Sequence, residues 1–165
     1  VSDKPTPSKT EIAAVRLLAR REHSTRELKR KLQNKGHAAE DVNKVVEKLA
    51  AKRLVSDERF AESFVAHHGR RGHGPLRIRA ELRQQGASDE VIEAALANAG
   101  IDWAQVAAEV RQRKFGYQPA KTALERAKQA RFLQYRGFSA DQIRAALSGS
   151  IDSADTMEGF DPLSD

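Results

Sequence analysis

The chain has 165 residues, 39% apolar and 32% charged, with 29 Lys/Arg against 23 Asp/Glu and a net charge of +6. The apolar share is below the ~45–50% of ordinary globular domains, so much of the chain is expected to be surface, as in an elongated array of helices. The absence of cysteine excludes disulfides, thiolate zinc sites and thiol catalysis, and no run of about 18 apolar residues is present that could cross a membrane.

Residues 1–9 are polar, carry Pro5 and Pro7 and lack an apolar signal-peptide stretch, so a disordered start and a cytoplasmic location are expected. A first helix follows over 12–21, with Ile12, Val15, Leu18 and Ala19 on one face. Ser24-Thr25-Arg26-Glu27 is a capping box, in which the serine oxygen accepts from the third helical amide and the glutamate reaches back to the cap amide. The second helix therefore starts there, buries Leu28 and Leu32 one turn apart, and stops at Gly36, the residue type best able to take the left-handed conformation that ends a helix. The third helix spans 39–52 and opens on Glu40 and Asp41, where the helix dipole favours negative charge.

The same parts then recur. Helix 58–67 carries Phe60, Phe64 and Val65; Gly74-Pro75 opens a middle helix with proline in first position, Ile78 and Leu82 turned inward and a stop at Gly86; Ser88, Asp89 and Glu90 open helix 88–98. The third copy reads as helix 103–114 with Val106, Ala107 and Val110, a middle helix entered through Thr122-Ala123-Leu124-Glu125 and ended by Gly137, and helix 139–148 behind the capping-box candidate Ser139-Ala140-Asp141-Gln142. The frames Leu32…Gly36…Val42…Val46, Leu82…Gly86…Ile92…Leu96 and Leu133…Gly137…Ile143…Leu147 place successive glycines 50 and 51 residues apart. Copy three departs in two respects: its middle helix is expected to be longer than the others, and Gln129 stands where Leu28 and Ile78 stand, which calls for a core repacked around Phe132, Tyr135 and Phe138.

A fold of this pattern is all-α: an array of three tandem three-helix, helix-turn-helix-like repeats over 10–56, 57–101 and 102–149, followed by an acidic disordered tail over 150–165. Repeats are more often an extended binding surface than an enzyme with one deep pocket. The catalytic motifs agree. No phosphate loop, nucleophile elbow or dinucleotide fingerprint is present, and the five histidines form no His-x3-His pair, so neither an enzyme nor a metal or cofactor site is expected.

Charge is blocked along the chain, with residues 1–57 at +6, 58–103 at −1, 104–151 at +6 and 152–165 at −5. Blocks of this kind suit a polyanionic partner or acidic patches on another protein. The candidate contacts are Arg26, Lys29 and Arg30 in copy one, Arg70, Arg71, Arg77, Arg79 and Arg83 in copy two, and Arg126, Lys128, Arg131, Arg136 and Arg144 in copy three. Arginine grips phosphate or carboxylate through a planar fork. In copy two the opposite reading stands beside this one, in which Glu81 and the acidic first turn of the next helix neutralise the arginines. Base stacking is the less favoured mode, since aromatics make up only 5% of the chain and only Tyr117, with Tyr135 where the core does not take it, is left to stack. The Leu-x3-Gly frame itself, through Leu32, Gly36, Leu82, Gly86, Leu133 and Gly137, reads as a packing corner.

Arg53-Leu54-Val55-Ser56-Asp57-Glu58-Arg59-Phe60-Ala61, followed by Gly72-His73-Gly74-Pro75-Leu76-Arg77-Ile78-Arg79-Ala80-Glu81-Leu82, resembles the signature of the RecX family. Ser24-Thr25-Arg26-Glu27-Leu28 and Phe132-Leu133-Gln134-Tyr135-Arg136-Gly137-Phe138 are similar to that family as well, and the likeness covers residues 10–148. The resemblance implies a cytoplasmic, non-enzymatic regulator that binds the RecA recombinase and lodges in the groove of the RecA–DNA filament. It further implies inhibition of ATP hydrolysis, strand exchange and coprotease activity in DNA repair and the SOS response, by a monomer with an elongated, curved body of three three-helix repeats. Single- or double-stranded DNA is a further expected partner. The alternative is a sequence-tolerant DNA-binding protein that acts without RecA. The basic residues named above rest on charge and position, since no contact residue carries over from the family.

Overall fold

The computed structural model describes residues 6–148, so the tail expected over 150–165 lies outside the described residues. Nine helices form among the described residues: α1 (Lys9–Leu18), α2 (Thr25–Asn34), α3 (Ala39–Ala51), α4 (Asp57–Arg70), α5 (Pro75–Gln84), α6 (Asp89–Asn98), α7 (Trp103–Phe115), α8 (Ala123–Arg136) and α9 (Ala140–Ser148). No strand occurs among the described residues. α1 starts three residues before Ile12 because the Ser8 side chain accepts from the Glu11 amide and caps it there. α4 runs on to Arg70, three residues past the expected end, so Arg70 is helical and only Arg71 lies in the turn beyond.

The chain divides into unit 1 (Val1–Ala66 with Arg79–Ala99) and unit 2 (His67–Ile78 with Gly100–Asp165), the division falling inside α4 and α5. In unit 1, α1, α2 and α3 enclose Ala14, Leu28, Leu32, Val42, Val46 and Leu49, all at 0–1% exposure. In unit 2, α7, α8 and α9 enclose Ala107, Val110, Leu133, Phe138, Ile143 and Leu147. Phe138 and the half-buried Phe132 do join this core, but Tyr135 is 82% exposed and takes no part in it. Gln129 is buried all the same. It accepts from Arg111 Nε at 3.0 Å, and Arg111, 4% exposed, also donates through Nη2 to the Gln118 carbonyl. A hydrogen-bonded polar pair thus replaces the leucine or isoleucine of the other copies, which is tolerable only because both partners are satisfied.

The Leu-x3-Gly frame is a helix stop with a defined bond. Gly36, Gly86 and Gly137 take φ of 89°, 87° and 95°, and the amide just after each glycine donates back to the leucine carbonyl: His37 to Leu32, Ala87 to Leu82 and Phe138 to Leu133, at 3.1–3.2 Å. This is the six-to-one bond of a left-handed helix terminus. α3 ends with the same bond, Leu54 to Leu49, but there the left-handed residue is Arg53 at φ 55°.

Two of these corners also join repeats. In unit 1 the Ser24 hydroxyl, at the start of α2, donates to the Gln85 carbonyl at 2.8 Å, while Oγ accepts from the Glu27 amide to cap the helix. In unit 2 the Gly74 amide, at the start of α5, donates to Arg136 O at 2.8 Å, and the Leu76 amide donates to Gly137 O at 3.0 Å. Ser24 and Gly74 each lie 12 residues before their own corner glycine, and Gln85 and Arg136 each lie one before the next. The joint is one device used twice. The expected capping box at Ser24 is only half formed, because the Glu27 carboxylate turns instead to Arg21 and Lys31; that of Ser139 and Gln142 is reciprocal.

Closeness differs among the corners. A Cβ on Gly36 would meet nothing within 4 Å, on Gly86 it would lie 2.7 Å from Arg26 Cδ, and on Gly137 it would lie 2.7 Å from the Arg77 amide nitrogen. Gly36→Ala should therefore cost about 1–2 kcal/mol, the left-handed penalty alone. Gly137→Ala should cost a further ~1–3 kcal/mol because backbone must move, with Gly86→Ala between them; denaturant unfolding of the three variants checks the order, and equal losses would contradict the joint.

Acid sensitivity follows from the buried His23, 2% exposed. Its Nδ1–H donates to the Arg21 carbonyl, which leaves Nε2 to accept from Lys31 Nζ at 3.1 Å. Burial holds its pKa below the ordinary 6.5. Glu27 beside it is also held low: burial opposes this, but hydrogen bonds from Arg21 and Lys31 outweigh it. Both groups bind protons more readily when unfolded, so stability is present above the unfolded pKa values and declines as pH falls. The denaturation midpoint should drop first below about 6.5, through His23, and again below about 4.5, through Glu27; His23→Gln should remove the first drop.

Candidate functional site

The surface cations fall into two classes. Arg79 forms a bidentate pair with Glu93 at 2.6 and 3.0 Å, and Arg83 pairs with Asp89 at 2.7 Å. The hydrogen bond from Arg79 lowers the Glu93 pKa and raises its own. These two arginines are neutralised by α6, as one of the two sequence readings has it, though through Asp89 and Glu93. Arg144 likewise pairs with Asp141 one turn back. Arg77 is half-buried, its backbone and Cβ pressed against Gly137.

Arg26, Lys29 and Arg30 share one face of α2 by their spacing, and none has an ion pair among the described residues; the Arg26 stem covers Gly86. Arg70, Arg71, Arg126, Lys128, Arg131 and Arg136 are also without an ion pair among the described residues. The balance differs by unit. The described part of unit 2 has twelve Lys/Arg against four Asp/Glu, whereas that of unit 1 has sixteen against thirteen.

In unit 2 the seam between the end of α7 and α8 gathers these charges. A cleft of about 180 Å³ is lined by Arg71, Val110, Arg113, Lys114, Phe132 and Arg136. The Arg136 guanidinium lies 5.5 Å from the Phe132 ring centroid and Lys114 Nζ lies 6.0 Å from it, within the range of attraction between a cation and a ring face. A second hollow of about 330 Å³ is lined by Phe115, Gln118, Pro119, Lys121, Glu125, Lys128 and Gln129. Phe115 and Phe132 meet edge to face at 5.4 Å, linking the two hollows through one aromatic pair. Glu125 is the one acid in either lining, and its carboxylate already accepts from the Lys121 amide at 2.7 Å. Tyr117 and Tyr135 are 84% and 82% exposed.

Arg113, Lys114 and Lys121 were not among the sequence candidates. They lie outside the middle helices on which the repeat comparison focused, and only the packing of α7 on α8 sets them beside Arg136 and Lys128. Histidine spacing likewise hid the approach of His68 and His73, Nδ1 to Nδ1 at 2.9 Å, which the turn at Gly72, φ 77°, brings about.

A double-mutant cycle of Arg79→Ala and Glu93→Ala should give a coupling of about 0.2–1 kcal/mol, the range for a pair this exposed. Lys128→Ala should leave stability unchanged; urea unfolding measures both, and zero coupling would return Arg79 to the set of available cations.

Family models for the first, second and third three-helix domains of RecX match residues 13–49, 56–96 and 102–147 in that order. The chain is 49% identical over 138 residues to the regulatory protein RecX of Halorhodospira halophila, covering 84% of this chain and 86% of that one. It is 47% identical to that of Pseudomonas fluorescens strain Pf-5, covering 82% and 88%. The fold is similar to the crystal structure of RecX from Lactobacillus salivarius, with a TM-score of 0.74 at 21% identity, covering 87% of this chain and 95% of that one. With three consecutive domain matches and close to half of the aligned residues identical to such relatives, the chain belongs to the RecX family of regulatory proteins.

Proposed function

We propose that this protein regulates the RecA recombinase by binding RecA and the RecA–DNA filament, within the groove of the filament. Bound there as a monomer in the cytoplasm, it inhibits or tunes ATP hydrolysis, strand exchange and coprotease activity during DNA repair and the SOS response, with no catalysis of its own. The observation that carries this reading is membership of the RecX family across all three domains. Two features support it physically. The repeat joint sets equivalent basic helices at a regular sequence interval, which suits a partner that is itself repetitive. The cations without carboxylate partners on α2 and along the α7–α8 seam retain their charge for an acidic or phosphate-bearing surface.

The test is the single-stranded-DNA-dependent ATPase of the cognate RecA. Substoichiometric amounts of the protein should lower its steady-state rate severalfold, because each bound chain affects more than one filament site. An unchanged rate at equimolar protein would contradict the proposal.

A further inference from the structure

The α7–α8 seam combines three properties that a merely soluble helix face does not need. First, six cations line it, Arg71, Arg113, Lys114, Lys121, Lys128 and Arg136, and none has a carboxylate within ion-pair distance among the described residues. Holding like charges together costs free energy that a bound polyanion would recover. Second, the lining continues along α8 from Glu125 to Arg136, a rise of about 16 Å, enough for roughly five phosphates of a stacked strand at ~3.4 Å each. Third, two tyrosines that neighbour lining residues in the sequence stand almost wholly in solvent. Tyr117 adjoins Gln118 of the larger hollow and Tyr135 adjoins Arg136 of the smaller one.

We infer that this seam is a binding site for single-stranded nucleic acid, in which the six cations hold the phosphates and Tyr117 and Tyr135 stack on bases. A strand fits better than an acidic protein segment because cations interleaved with free aromatic rings match a chain that alternates phosphates and bases. A strand fits better than a duplex because bases already stacked and paired offer those rings no face. The larger hollow, which has Lys121 and Lys128 in its lining beside Phe115 and Pro119, serves the phosphate path and is not itself a base pocket.

The inference goes beyond the RecA reading and is tested without RecA. Fluorescence anisotropy of a labelled oligothymidylate is measured with the full chain over a range of salt, beside a duplex of equal length and with polyaspartate as competitor. The wild type should bind the single strand more tightly than the duplex, and polyaspartate should compete poorly. Lys114→Glu with Lys128→Glu should weaken binding by about tenfold or more and flatten the log–log salt slope by about 0.7 for each cation removed. Tyr117→Ala with Tyr135→Ala should weaken binding about tenfold or more while leaving the salt slope unchanged. All four side chains are exposed, and an unchanged melting temperature confirms the fold of each variant. Equal affinity of wild type and both variants, equal affinity for duplex, or effective competition by polyaspartate would each overturn the inference. None of these outcomes touches the ATPase reading, and an unaltered ATPase would leave this site standing.

Discussion

A helix cannot continue through a left-handed residue, and at Gly86 and Gly137 the chain uses that stop for two purposes. The positive φ turns the backbone so that the leucine carbonyl is satisfied by the amide after the glycine. The same turn offers another carbonyl outward, from Gln85 or Arg136, to the first residues of a middle helix in the preceding repeat. At the second joint the donors are the Gly74 and Leu76 amides, which at a helix start lack partners inside their own helix; at the first the donor is the Ser24 hydroxyl. Each end of the joint thus satisfies a group that the other leaves open. Any side chain on Gly137 would displace the Arg77 backbone, so glycine is required there for approach as well as for conformation. At Gly36 only conformation requires it, since nothing lies within 4 Å.

Most of the fold was legible because its signals are local. Serine or threonine caps at Ser24, Ser88, Thr122 and Ser139, proline at Pro75 and the glycine stops all act within four residues of themselves, and the helices begin and end close to them. The places that were not legible depend on which of several possible partners a side chain takes, near or distant. Glu27 fits a capping box by spacing, yet two cations that reach it across α2 take its carboxylate. Gln129 marks an apolar gap in the pattern, but its partner Arg111 lies 18 positions earlier on α7. Arg53 occupies a left-handed corner that sequence rules assign to glycine, closed by the same bond to a buried leucine, Leu54 to Leu49.

Charge was legible in amount and not in availability. The arginines of α5 look like the densest grip for an anion, yet α6 presents Asp89 and Glu93 to Arg79 and Arg83. The α7–α8 seam is diffuse in sequence, since Arg71 is distant from Lys114 and both are distant from Arg136, and only tertiary packing gathers them around Phe132. Tyr135 illustrates the same point from the apolar side. It sits in an aromatic-rich run that suggests a core, but it is 82% exposed and takes no part in the core of α7, α8 and α9. Packing therefore decides which cations are left without acids, and in unit 2 the linings of the α7–α8 seam gather six of them.

The most direct measurement is lysine reactivity, read by acylation and mass spectrometry, of the protein alone and bound to a RecA–single-strand filament. The account predicts that Lys114, Lys121 and Lys128 lose reactivity on binding, whereas Lys44 and Lys48, already paired with Glu40 and Glu11, keep theirs. Unchanged reactivity at all three seam lysines in the bound protein would contradict it.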